Sequence, residues 1–161
     1  MSQDLHSTVA EGLLSRYHEL AQSVSKLADS LNEEQFWQKP FRFGNSFGHL
    51  VLHLTGNLNF YIGAEIAGSG YIRDRDREFS EPKPIPKAEA LEQFHRAVAV
   101  VVGTLQAQTP ADWAKAYAAR GEDTAGNRFT IFLRCATHLH HHVGEMTYLC
   151  FELVGKKATG L

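Results

Sequence analysis

The sequence predicts an all-α protein, a four-helix bundle that forms one domain over residues 1–161. Three observations predict this fold. Apolar residues recur every three or four positions in four segments of roughly 20 residues, which is the period of an amphipathic helix. No segment shows the alternation of a half-buried strand. The breaks between the four segments contain the prolines and glycines that end helices.

The first helix is predicted from one apolar face, formed by Leu5, Val9, Leu13, Tyr17, Leu20, Val24, Leu27 and Leu31. A break at Lys39-Pro40 and Gly44-Asn45-Ser46 follows it. The second helix then begins, with Asn45 or Ser46 as its N-cap, and ends near Gly68.

Residues 69–86 are predicted to be a long loop, because they contain RDRDRE and prolines at 82, 84 and 86. The third helix covers about Lys87 to Gln108. Thr109 to Asp112 has the pattern of a capped start and predicts a further short helix. The fourth long helix covers about Phe129 to Leu153, with Gly155 just beyond its end. A loop as long as 69–86 would allow helices two and three to be parallel.

Composition and charge exclude several classes of protein. The net charge of −2 provides no basic field for nucleic acid or an acidic membrane surface. No apolar run approaches the roughly 20 residues that a membrane-spanning helix needs. Cys135 and Cys150 lie in one predicted helix about 22 Å apart, too far for a disulfide. Two free thiols favour a reducing compartment, so the cytoplasm is expected.

The fourth helix carries four histidines, which helical geometry separates. Its core stripe is wholly apolar, at positions 132, 136, 139, 143, 146, 150 and 153. The neighbouring stripe is apolar at both ends and has His138 and His142 in its middle. His141 lies on a mostly polar stripe, and His140 is not placed by the pattern.

The second helix has the same design, because His53 and Asn57 interrupt an otherwise apolar row. Histidines at i and i+4, such as His138 and His142, lie on adjacent turns and can reach one metal ion. His53 is the natural third ligand, which would leave an open fourth position. If the starts of helices two and four lay at the same end of the bundle, His53 and His138 would be level.

Alternatives remain open on spacing alone. His49 with His53 and His138 with His141 are competing pairs, although His49 is better placed for capping or for supporting a ligand. The inward histidines could also be ordinary hydrogen-bonded core residues.

Three motifs together resemble the DinB/YfiT-like superfamily of bacterial metal-binding bundles, in a branch with HLxGNL and RDRDxEF. They are SFGHLVLHLTGNL at 46–58, YIRDRDREF at 71–79 and THLHHHVGEMTYL at 137–149. The resemblance covers most of the chain. It implies a bundle with up-down-down-up topology, a divalent metal that is usually Zn²⁺ or Ni²⁺, and a homodimer. Matched residue by residue, it implies His53, His138 and His142 as the metal ligands.

One departure from the family pattern concerns Glu145. Many relatives have Arg-Gly-Gln after the last ligand, where this chain has Val143-Gly144-Glu145. Glu145 could therefore support a ligand, act as a fourth ligand or a general base, or form an ordinary ion pair.

The resemblance also implies a reaction class, since some members of the superfamily join a low-molecular-weight thiol to an electrophile or use it in isomerisation. A metal with an open position keeps a thiol nucleophilic as its thiolate. The same position could serve a hydrolase, or the protein could bind metal without catalysis. Arg73 and Arg75 would offer guanidinium forks to an anionic substrate, and Asn57 would orient it. A solvated charged loop is the alternative for the arginines, and packing is the alternative for Asn57.

Overall fold

The computed structural model describes residues 4–80 and 85–156, and in this part of the chain all extended regular structure is helical. The only strand-like pairings there are isolated bridges, such as the one between Ala116 and Asn127. The all-α prediction is confirmed. Within the described ranges no helix has the length and apolar character needed to cross a membrane.

The first helix, α1, is Leu5–Asp29, and the side chain of Asp4 caps it by accepting from the backbone N–H of Ser7 at 2.9 Å. The predicted apolar stripe is its buried face, with Tyr17 and Val24 fully buried. Leu5 is the exception, because it lies in the first turn and is exposed.

Two further helices follow α1 along the chain. The short α2, Glu33–Trp37, was not predicted; a reciprocal capping box between Asn32 and Gln35 stabilises it. The next helix, α3, is Phe47–Leu58, and it continues directly into a π-helical segment, Asn59–Ala64.

The predicted long loop contains a further short helix, α4, which is Arg77–Ser80. The long helices α5 and α6 are Lys87–Gln106 and Arg128–Val154. Gly155 follows α6 with φ of +81°, a left-handed backbone conformation that favours glycine.

The predicted short helix after Thr109 is wrong. Asp112 does accept hydrogen bonds from the backbone N–H and the hydroxyl of Thr109, both at 2.7 Å. This capping geometry closes only a turn, because no helical segment follows before α6.

Specific contacts give the direction of each helix in the bundle. Tyr17 donates to the carbonyl of Phe132 near one end, and the Cys150 thiol lies 3.7 Å from the carbonyl of Leu27 near the other. Residue numbers therefore rise together along α1 and α6, which are parallel.

Contacts give the relative directions of the other helix pairs in the same way. The Lys87 ammonium, at the start of α5, donates to the carbonyls of Ala28 and Leu31 at the end of α1, so α5 is antiparallel to α1. Leu52 and Glu89 line one groove between α3 and α5. Further along both helices, a Cβ on Gly63 would lie 3.5 Å from Val100, so α3 and α5 are parallel. The topology is up-down-down-up, as expected.

Candidate metal centre

Contacts at the start of α3 distinguish His49 from His53, the two histidines of this helix that compete as metal ligands. Ser46, rather than Asn45, caps this helix, since its hydroxyl accepts from the backbone N–H of His49 and lies 2.7 Å from His49 Nδ1. The His49 ring packs edge-on against Trp37, with ring centroids 5.5 Å apart. His49 therefore serves the helix start and its packing, and His53, one turn later, faces the bundle interior.

Three imidazoles converge between α3 and α6. His53 Nε2 lies 3.3 Å from His138 Nε2, and His142 Nε2 lies 3.1 Å from the same atom. The ligand atoms of the three residues are all within 4.8 Å of one another, so they could hold one metal ion. The structure brings together the three histidines that the sequence singled out.

His53 and His138 are level, but the condition considered for this, that the two helices begin at the same end of the bundle, is not met. The helices α3 and α6 are antiparallel, because Tyr61, late in the chain segment of α3, contacts Gly121 and Tyr117, which precede α6. His53 and His138 are level because they lie at similar distances from this shared end. His53 precedes Ala64 by about three turns, and His138 follows Arg128 by about the same.

The other nitrogen of two rings is held by a carboxylate. His53 Nδ1 lies 2.8 Å from Glu78 Oε2, and His142 Nδ1 lies 2.7 Å from Glu145 Oε2. A carboxylate only accepts, so in each neutral ring Nδ1 carries the proton and Nε2 carries a lone pair. This arrangement orients imidazole ligands in many metal sites.

The lone pairs have a consequence for the centre. His138 Nε2 contacts both other Nε2 atoms and can donate to at most one of them. At least one of these close contacts therefore lacks a hydrogen bond of its own, and a cation bound by the lone pairs would stabilise the cluster. The donor set thus fits a divalent metal. His138 Nδ1 is buried without a hydrogen-bond partner among the described residues.

Burial keeps two of the rings neutral. It lowers the pKa of His138 to about 3, helped by the neighbouring His142 and His53 rings. Burial also lowers the pKa of His142, although the hydrogen bond to Glu145 opposes this shift. A neutral imidazole is the form that binds metal, so no proton must be displaced from His138 at neutral pH.

Glu78 is the residue that sequence reasoning missed. It comes from the four-residue helix α4, and its side chain is only 6% exposed. Arg73 binds it through two nitrogens, with Nε 2.7 Å from Oε1 and an Nη 2.9 Å from Oε2. The Arg73 side chain is itself 9% exposed. Arg73 therefore orients Glu78, and its predicted contact with a substrate stays a prediction.

Residues of the HLxGNL and RDRDxEF motifs pack against each other around His53 and Glu78. A Cβ on Gly56 would lie 2.0 Å from Glu78 Oε1, so only glycine leaves room for the carboxylate. Phe79 packs on His53, with ring centroids 4.8 Å apart. The one signal that could have identified Glu78 was its place as the acid of the RDRDxEF motif.

Glu145 lies on the solvent side of the centre. It contacts His142 Nδ1 and, at 3.1 Å, His141 Nε2, and its side chain is 46% exposed. It thus contacts the side of the His142 ring that faces away from the three Nε2 atoms. His140 and His141 are exposed and do not join the cluster.

A pocket of about 1040 Å³ opens beside His53 and His138, and we call it the arginine pocket. It is lined by Asn57, Arg73, Arg75, Arg120 and Arg134, among others. Arg75 lies over the Phe79 ring, 5.9 Å from its centroid, at the edge of this pocket. The predicted residues Asn57 and Arg75 therefore share one cavity with two of the histidines.

Comparison with known protein families supports the resemblance read from the motifs. The family model of the DinB superfamily matches residues 16–146, well over half of the chain. The chain therefore belongs to the DinB superfamily. No protein of established function matches the chain in a search of curated proteins.

Proposed function

We propose that this DinB-superfamily chain binds a divalent metal, Zn²⁺ or Ni²⁺, through His53, His138 and His142, and that it is an enzyme acting on a small thiol. The observation that carries the proposal is the convergence of three Nε2 atoms, with the Nδ1 atoms of His53 and His142 each hydrogen-bonded to a carboxylate. Three imidazoles are a ligand set that late first-row metals accept, and they leave an open position.

Different residues of the chain would have separate roles around the open coordination position. Glu78, held by Arg73, fixes the ring of His53, and Glu145 fixes the ring of His142. The arginine pocket gives a small molecule access to the centre from the side of His53 and His138. A bound divalent ion would keep a thiol deprotonated and nucleophilic at neutral pH, or would acidify a water molecule.

A metal-dependent hydrolase is the second candidate. Asp74 and Asp76 line the arginine pocket and offer carboxylates that could accept a proton from water. Glu145 is a weaker choice for this role, because it contacts the opposite side of the His142 ring.

The first experiment is elemental analysis of protein purified without a nickel column or an affinity tag. We expect about one equivalent of zinc or nickel, and loss of that metal in His142→Ala. His140→Ala is the matched control, since His140 is exposed on the same helix and should retain full metal. Full retention of metal in His142→Ala would refute the ligand set.

The second experiment separates the two reactions. Cobalt-substituted protein is titrated with small thiols and followed by its visible absorption. A new band from thiolate ligation supports the thiol enzyme. If no thiol perturbs the spectrum, the thiol proposal fails and hydrolysis of model esters becomes the test.

The cellular setting and assembly are also proposals. Cys135 and Cys150 are both free and buried, which supports a reducing compartment such as the cytoplasm. A homodimer is proposed from the family resemblance. Light scattering of the purified protein would measure the assembly directly.

A further inference from the structure

Four arginines line the arginine pocket, and they differ in what already binds them. Arg73 pairs with Glu78, and Arg134 pairs with Glu122. Arg75 lies over an aromatic ring. Arg120 makes no hydrogen bond, ion pair or ring contact with any residue in the described parts of the chain. Arg120 is therefore the arginine of this pocket that has no such contact, and Arg75, which forms no ion pair with the described residues, is the second one with N–H donors available to an anion; both are exposed to solvent.

The backbone next to Arg120 is held in place through Gly121. The carbonyl of Gly121 accepts a hydrogen bond from the Tyr61 hydroxyl at 3.1 Å, and the Tyr117 hydroxyl donates to the carbonyl of Tyr61 at 2.9 Å. Gly121 has φ of +79°, a conformation that favours glycine. These contacts attach the turn that carries Arg120 to the same chain segment that carries His53.

A second observation concerns Asn57, one turn after His53 on the wall of the same pocket. The residue is only 3% exposed, and its Oδ1 atom has no hydrogen-bond partner among the described residues. Buried polar atoms are almost always paired, and leaving one unpaired is unfavourable. A ligand in the pocket with an N–H or O–H group would supply the missing donor.

We propose that the arginine pocket binds a small organic carboxylate, with Arg120 on the carboxylate and Asn57 accepting a hydrogen bond from the ligand. This inference rests on the proposed function, because it makes this cavity the substrate pocket of the metal centre. The guanidinium fork matches the two oxygens of a carboxylate. On the pocket wall the charges of Arg75 and Arg120 are offset by those of Asp74 and Asp76, which favours a monoanion over a phosphate dianion.

The test uses the full chain loaded with cobalt and two thiols of similar size, 3-mercaptopropionate and the uncharged 2-mercaptoethanol. The ratio of their dissociation constants reports the preference for the carboxylate. We expect Arg120→Gln to reduce this preference about tenfold, while the affinity for 2-mercaptoethanol stays unchanged. Comparing ratios between variants cancels the different acidities of the two thiols.

The control is Arg96→Gln, which removes an exposed arginine of α5 that does not line the pocket and should leave the ratio unchanged. Asn57 is tested with N-acetylcysteine, which adds an amide N–H to the thiol and the carboxylate. Asn57→Ala should weaken N-acetylcysteine several-fold more than 3-mercaptopropionate.

The possible failures are distinguishable. An unchanged ratio in Arg120→Gln overturns the carboxylate subsite and leaves the metal centre intact. If no thiol alters the cobalt spectrum, the thiol function fails, and calorimetric titration with 3-mercaptopropionate decides the subsite. Binding heat that Arg120→Gln removes supports the subsite, and a lack of binding overturns it.

Discussion

Glu78 and Glu145 hold two histidines of one centre by the same hydrogen bond, but from opposite kinds of surroundings. Glu145 lies three residues after His142 on the same helix, is half exposed and also contacts His141. Glu78 lies 25 residues from His53, is almost fully buried and is bound by Arg73. Two hydrogen bonds of nearly equal length should therefore stabilise the protein to different extents, because water competes for one carboxylate and not for the other.

The largest effect should come from Glu78→Gln. This change leaves Arg73 buried without its partner, and breaking a buried pair costs about 3–5 kcal/mol in the free energy of unfolding. Losing the carboxylate behind a histidine ligand typically lowers metal affinity by about 10–100-fold. Urea denaturation of metal-free protein and competition with a chromophoric chelator measure the two quantities.

The double variant Arg73→Met with Glu78→Gln sharpens this result. It should recover part of the lost stability, because no charge remains buried, but none of the metal affinity. If Glu78→Gln weakened metal binding no more than Glu145→Gln does, the buried carboxylate would have no special role.

The next largest effect is expected for Gly56→Ala. The new Cβ would lie 2.0 Å from Glu78 Oε1, so the carboxylate must move away from His53. We expect metal affinity to fall about tenfold and stability to fall by about 1–3 kcal/mol. The matched control is Gly144→Ala on α6, where the new Cβ meets nothing within 4 Å and stability should rise by up to about 1 kcal/mol. Wild-type metal affinity in Gly56→Ala would contradict the proposed crowding.

Glu145→Gln should have a smaller effect. The glutamine can still accept from His142 through its carbonyl oxygen, and water competes for this partly exposed hydrogen bond, which contributes about 1 kcal/mol or less. We expect at most about a tenfold loss of metal affinity and almost no change in the urea midpoint. A loss as great as in Glu78→Gln would show that exposure does not distinguish the two carboxylates.

The smallest effect is expected for His141→Ala. His141 contacts the outer oxygen of Glu145 and lies edge-on to the His142 ring, with centroids 5.1 Å apart, and its side chain is 66% exposed. Metal content should stay at the wild-type level, and affinity should change by less than about threefold. Loss of stoichiometric metal in this variant would move the centre to the exposed group of His141, His142 and Glu145.

The features that were predicted correctly from the sequence are those that depend on local periodicity. The expected fourth helix, Phe129 to Leu153, differs by one residue at each end from α6, and Gly155 was correctly placed beyond it. The meeting of His53, His138 and His142 was also predicted, because each interrupts an apolar stripe. Metal binding by these residues stays a prediction.

The rest depended on contacts between distant segments. The helices α2 and α4 are too short to show a period, so neither was predicted. Glu78 lies in a charged run, where spacing cannot separate a buried acid from its exposed neighbours. The roles of Arg73 and Arg75 were left open for the same reason, and the structure gives Arg73 a partner that the sequence alone could not name.

The contact between Gly56 and Glu78 has a consequence for how related chains can change over evolution. A side chain at position 56 and an acid at position 78 would occupy the same space, so the two positions are not independent. In an alignment of relatives, they should covary. Chains that keep the acid at position 78 should keep the glycine at position 56. Chains that have lost the acid should be free to have alanine or serine in place of that glycine.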